Sequence, residues 1–224
     1  MSAKATTLKV SKHTDLTGTS TGYKVFAVIV LILVALFFLF PLYWIATGSF
    51  KPILEITSRT PVWFPQNPTL DNYTKLFNNP AWRWLFNIVF ISAVAMLLTC
   101  ITASLAGYAL AKKRFIGRTV LFTIIICAMA LPKQVIVIPL AQEMTNFFHL
   151  NDTLWAVILP TVGWPFGVFL MKQFSETIPT EILEAARVDG AGELRTFITV
   201  VFPMIKPGIG ALAIFTFVNT WNDY

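Results

Sequence analysis

Five long apolar runs alternate with polar stretches along the 224 residues. The first run covers residues 25–47, and its length predicts a membrane helix with Pro41 near one end. A second run, 84–111, extends for roughly 42 Å as a helix, more than a bilayer core needs, which predicts tilt or protrusion. Its later half carries Ala103, Gly107 and Ala111 at intervals of four, a stripe suited to close helix packing. The third run, 119–148, is interrupted by Pro132-Lys133-Gln134 and by Pro139. The fourth, 151–174, contains Pro160 and Pro165, and the fifth begins at Pro207 and reaches Tyr224. Residues 1–22 are polar and without apolar period, so they read as a loose tail. The connection over 48–83 holds five prolines, and predicts one short helix near 70–78 that Asp71-Asn72 is placed to cap. Residues 23–224 thus form one transmembrane unit, an all-α polytopic membrane protein, with no further domain or repeat.

Composition strengthens this reading. Hydrophobic residues make up 56% and charged residues 12%, whereas soluble domains carry about 25% charge. Too few charges remain to coat a water-exposed surface. Cys100 and Cys127 both lie in apolar runs and read as buried thiols. With two histidines, His13 and His149, a zinc site is not expected. The first run is too long for a removed signal peptide. The net charge of +6 is distributed as short clusters beside the apolar runs, not as a nucleic-acid footprint.

Those clusters set an orientation. With the amino terminus inside, cytoplasmic segments hold Lys4, Lys9, Lys12, Lys24, Lys112, Lys113, Arg114, Arg118, Lys172, Arg187, Arg195 and Lys206, and outer segments hold only Lys51, Arg59, Lys75 and Arg83. That bias favours a cytoplasmic amino terminus and a cytoplasmic segment 175–206. Lys133 alone is deep in an apolar stretch. An intramembrane charge is costly and a functional candidate by default; the plainer reading is that Pro132 breaks the helix and the lysine snorkels outward.

Neither a G-x-x-x-x-G-K-[ST] loop nor an H-E-x-x-H helix motif occurs in the sequence. The polar stretch that interrupts the apolar runs at 184–203 reads EAARVDGAGELRTFITVVFP. Pro179 suits a helix start, and Glu181 and Glu184 follow in its electropositive half. Ala185 and Ala186 let that helix approach another surface closely. Asp189-Gly190 stops it, because glycine accepts the left-handed conformation. A second helix, 192–201, then returns toward Pro203. A helix that protrudes, turns and returns can act as a lever. The plainer alternative is an ordinary amphipathic loop.

This stretch resembles the coupling loop of bacterial ABC-importer permeases: Glu-Ala-Ala, three residues, Gly, nine residues, then an apolar pair and proline. Val200 and Phe202 stand where the family usually has Ile and Leu. Further likeness to carbohydrate-uptake permeases of the maltose-transporter type, shorter subunit, lies in Pro41-Leu-Tyr-Trp44 with Ser49-Phe-Lys51. It continues in Asn72-Tyr73 with Leu76-Phe77, Gly107-Tyr108-Ala109 with Arg114-Phe115 and Gly117-Arg118, Leu131-Pro132-Lys133-Gln134 with Ile138-Pro139-Leu140, and Trp221-Asn222-Asp223.

The resemblance implies a six-helix type I importer fold, of which this sequence covers about five helices, as if shortened before the last. It implies the transmembrane subunit of an ATP-driven importer of a sugar or sugar-like solute, working by alternating access in the bacterial inner membrane. It implies a second homologous permease, two ABC ATPase subunits that use ATP and Mg, and an extracytoplasmic solute-binding protein. No cofactor or metal is expected on this chain. Glu184, Ala185, Ala186, Asp189, Gly190 and Pro203 are the expected ATPase-coupling residues. Lys133, Asn219, Trp221, Asn222 and Asp223 are candidates for the sugar path, with Trp221 as an interface anchor the plainer alternative. Gly163 and Gly167 form a G-x-x-x-G read as packing. A shortened, inactive fragment or an unrelated membrane enzyme or assembly factor are the alternative readings. Maltodextrins, other oligosaccharides, monosaccharides, polyols and glycerol phosphates all have permeases with these motifs, so the solute stays open.

Overall fold

The computed structural model describes residues 21–223. The tail expected over 1–22 falls almost wholly outside them. The described chain is helical without strands and divides into two compact units, one ending at Asn79 and one beginning at Pro80.

In the first unit, α1 (Thr21–Gly48) has no buried residue. It takes in the polar residues Thr21–Lys24 ahead of the expected apolar run. The short helices α2 (Ile53–Ile56) and α3 (Asp71–Asn78) follow. Lys51 is 2% exposed. Its Nζ donates to the Val62 carbonyl at 2.5 Å and lies 4.5 Å from the Trp44 ring centre. Trp44 in turn meets Trp63 edge to face at 5.9 Å, and the Tyr43 hydroxyl donates to the Trp63 carbonyl. Glu55 accepts from the backbone N–H groups of Gln66 and Asn67. Asn72 does not cap α3. Its amide donates instead to the Ser49 and Lys51 carbonyls at 3.0 and 2.9 Å, while the Thr69 hydroxyl accepts from the Asp71 N–H. Two distant motifs, Ser49-Phe-Lys51 and Asn72-Tyr73, are therefore halves of one knot.

The second unit is organised by α4 (Ala81–Lys112). It begins three residues earlier than expected, directly after Pro80, whose carbonyl accepts from Trp84 N–H. After it come α5 (Arg118–Met129), α6 (Lys133–Asn146), α7 (Trp155–Val162) and α8 (Pro165–Glu176). Then follow α9 (Thr180–Val188), α10 (Glu193–Thr196), a π-helical turn (Phe197–Val201), α11 (Phe202–Met204) and α12 (Lys206–Asp223).

Among the described residues, three spans are long and apolar enough to cross a membrane as they stand: α1, α4 and α7–α8 together. The third expected span is a bent pair, whereas the fifth falls on α12 alone, with a bend just before it. The α5–α6 pair turns by 109° at Pro132, and the α10–α12 stretch by 78° near Ile205. The third run is thus a broken or re-entrant span, because Pro132 takes an extended backbone (ψ 131°) that no helix can pass through.

Small residues let α4, α8 and α12 meet closely. A Cβ on Gly107 would fall 2.6 Å from the Lys172 nitrogen, and one on Gly208 2.5 Å from the Phe174 ring. Gly167 faces Ala103 and Thr99 of α4 and Leu212 of α12. The packing role expected of the glycine pair therefore falls to Gly167, since Gly163 meets only the Pro160 carbonyl at 3.6 Å. Cys100 is buried between these helices, but Cys127 is exposed on α5, contrary to expectation. The α5 helix buries none of its residues, so its apolar side chains are not part of this chain's core.

Candidate coupling loop and translocation-path residues

The helix α9 forms because Glu181, Leu183, Glu184, Ala185, Ala186 and Arg187, all good helix formers, follow Pro179, which takes the N-cap position and not the first turn. Its end is a Schellman turn. The Ala191 N–H donates to the Ala186 carbonyl at 2.9 Å and the Gly190 N–H to the Arg187 carbonyl at 3.0 Å. Gly190 takes φ +78°, with open space around it. Its requirement is therefore conformational: a left-handed residue other than glycine costs about 1–2 kcal/mol.

One side of α9 is anchored. Leu183 is 5% exposed and belongs to the buried cluster that includes Tyr108, Ile178, Phe197, Val201 and Ile205. The Tyr108 and Phe197 rings lie 5.6 Å apart. The opposite side is open. Glu184, Ala185, Asp189 and Gly190 are exposed, Ala186 is half-buried, and Val188 is 88% exposed. Glu184 has no hydrogen-bond or ion-pair partner among the described residues.

Residues missed from the sequence fasten this lever. Glu193 pairs with Lys113 at the end of α4 and, at 3.2 Å, with Arg187 of α9. The Lys113 hydrogen bond, with the charges of Lys113 and Arg187, holds the Glu193 carboxyl below the usual glutamate value. Lys112 donates to the Glu176 and Ile178 carbonyls at 3.1 and 2.6 Å and so closes the end of α8. Nothing local signals these partners, because Lys113 and Glu193 lie 80 positions apart. The returning arm runs from α10 through the π-turn and α11, where Pro203 is exposed, to the bend before α12. The expected second helix, 192–201, is therefore a composite whose middle turn is π-helical. Such turns frequently accompany functional sites.

Of the path candidates, Lys133 and Asp223 come together. They form an ion pair that joins the break before α6 to the end of α12. Lys133 neither sits alone in an apolar span nor snorkels alone; its charge is met by Asp223. Asn219 is exposed. The Asn222 amide donates to the Val218 carbonyl of its own helix at 2.9 Å. Trp221 stacks on Phe217 with ring centres 6.0 Å apart. The five candidates do not form one cluster.

Residues 100–224, which include this loop and the Lys133–Asp223 pair, match the family described as binding-protein-dependent transport system inner membrane component. The chain belongs to that family. It is 32% identical over 207 residues to the arabinooligosaccharides transport system permease protein AraQ of Bacillus subtilis, covering 90% of this chain and 73% of that one. It is 32% identical to the diacetylchitobiose uptake system permease protein NgcG of Streptomyces coelicolor, covering 87% and 65%. Among solved structures, a bacterial ABC transporter involved in import of the acidic polysaccharide alginate has a chain matching with TM-score 0.73 at 25% identity, covering 91% of this chain and 73% of that one. The chain thus has the type I importer permease fold and is the transmembrane subunit of an ABC importer. A permease of this class works in a membrane with an ATPase and a solute-binding protein.

Proposed function

We propose that this permease carries a sugar, oligosaccharide or glycoside across the bacterial inner membrane by alternating access, driven through α9. The observation that carries the reading is the build of the lever. An exposed tip with an unpaired Glu184 is closed by Gly190, fastened to α4 by Glu193, and continuous with the arm leading to α12. Ala185 and Ala186 give an ATPase groove close access, and Asp189 and Pro203 bound the two arms. Force applied at α9 passes through Leu183 and the arm to α12. ATP and Mg act on two partner ATPase subunits, and this chain holds no ATP site of its own. A second homologous permease completes the pathway. The amino terminus and 175–206 face the cytoplasm, as the lysine and arginine bias favours.

A saccharide load is supported by what the relatives' names say they carry: arabino-oligosaccharides, diacetylchitobiose and sulfoquinovosyl glycerol. Lys133, Asn219, Trp221, Asn222 and Asp223 supply the amide, charge and aromatic groups that a sugar path uses. The test is uptake of labelled saccharides by cells carrying the whole transport system with Gly190→Val in this subunit. The variant should reach the membrane yet release the ATPase or stop uptake. Normal ATPase binding together with normal uptake contradicts the coupling reading.

A further inference from the structure

The turn between α4 and α5 has a feature that the transport cycle does not use. Residues 112–120 read KKRFIGRTV, with four cations and no acid. Two of the cations are occupied: Lys113 by Glu193, and Lys112 by the carbonyls at the end of α8. The other two keep unneutralised charge. Arg118 donates only to the Lys113 carbonyl, and Arg114 has no hydrogen bond or ion pair among the described residues. Both arginines line one open concavity of about 360 Å³, with Phe115, Gly117, Thr119 and Val120. Beside them are apolar side chains that the fold leaves uncovered: Ile116 is 104% exposed, Val120 63% and Phe115 44%.

We propose that this concavity binds the phosphate of an anionic phospholipid, with Phe115, Ile116 and Val120 set into the adjoining acyl layer. Position supports the lipid. The turn joins a membrane span to the first arm of a bent one, so it lies at a membrane surface whichever side that is. A water-facing turn has no use for bare Ile116 and Val120, whereas a headgroup boundary takes apolar groups below and cations above. Guanidinium groups bind phosphate oxygens through paired N–H donors. Basic pockets beside membrane helices hold anionic headgroups in this way, at about 1 kcal/mol per cation, so two arginines correspond to about thirtyfold in affinity.

The test uses the purified full chain in neutral detergent, titrated with phosphatidylglycerol, phosphatidylcholine or inorganic phosphate, with thermal stability as the readout. Phosphatidylglycerol should raise the midpoint more than phosphatidylcholine. Arg114→Gln/Arg118→Gln should need about thirtyfold more phosphatidylglycerol for the same effect. Lys75→Gln/Arg83→Gln, an equal loss of charge elsewhere, should behave as wild type. Ile116→Glu, at a fully uncovered residue, should weaken the lipid effect without harming the fold, so the test stands even where the double arginine variant misfolds. Equal responses to the two lipids overturn the proposal, as does undiminished response in Ile116→Glu or the arginine variant. An equal effect from inorganic phosphate overturns the lipid assignment in favour of a free anion.

Discussion

Replacing Gly107 by alanine places one methyl group where α4 crosses α8. The new Cβ would lie 2.6 Å from the Lys172 nitrogen, 2.7 Å from the Met171 carbonyl carbon and 2.8 Å from the Met171 Cβ. Unstrained carbon contacts lie near about 3.5–4.0 Å. Two of the three obstacles are backbone, so no side chain can rotate away and the helices must part by about 1 Å. A gap of that size forfeits about a quarter to a half of the attraction between facing atoms. Overpacking of this kind costs about 1–3 kcal/mol, and for a chain of this length each kcal/mol lowers the melting midpoint by about 2–4 °C. Cys100, buried beside the same interface, is a natural reporter once the exposed Cys127 is changed to serine. Labelling of Cys100 by a thiol-reactive dye during heating should begin about 2–12 °C lower in Gly107→Ala. Gly163→Ala is the control, because its Cβ would meet nothing nearer than 3.6 Å. Any gain from stiffening the unfolded chain is shared by both variants. Coincident curves for the two would refute the close-packing argument.

Further outcomes are expected. Glu193→Gln should loosen the lever, so amides over 188–196 should exchange faster than wild type at pH 7. Because the native Glu193 carboxyl is held low, its contribution is present above the usual glutamate value of about 4.3 and fades as pH falls through the lower native value; the two proteins should converge in acid, and a gap that persists there counts against the clamp. Lys133→Asp and Asp223→Lys should each impair uptake while the double exchange restores part of it; a double variant no better than the worse single denies the pair a role. Single cysteines at Ser58 and Thr180, in a background lacking Cys100 and Cys127, should react with an impermeant reagent from opposite membrane faces, and reaction from one face rejects the orientation.

What the sequence disclosed follows from the range of each signal. The lever was legible because its signals are local: proline at the start, alanines at the tip, glycine at the one left-handed position. The α4 stripe was legible for the same reason, since Ala103 and Gly107 share a face by helical spacing. The pairs Lys113–Glu193 and Lys133–Asp223 were not, because each joins residues 80 or 90 positions apart. Asn72 was misread as a cap because short-range capping and a long-range bond to Ser49 use the same side-chain chemistry. The bend at Pro132 was marked by the proline, but its angle of 109° depends on the packing of both arms. Cys127 was misplaced because hydropathy does not distinguish an apolar-run residue packed inside the chain from one left on its outer surface.

The central claim is that α9 is the contact through which an ATPase subunit moves this permease. Cysteine placed at Ala185, with Cys100 and Cys127 removed, tests it in membranes containing the complete transport system. A short bifunctional cross-linker should join that position to the ATPase subunit, with a yield that changes when ATP is added, and cysteine at Ser58 should give no such product. Undiminished transport with no ATPase cross-link from position 185, or equal cross-linking from position 58, would contradict the account.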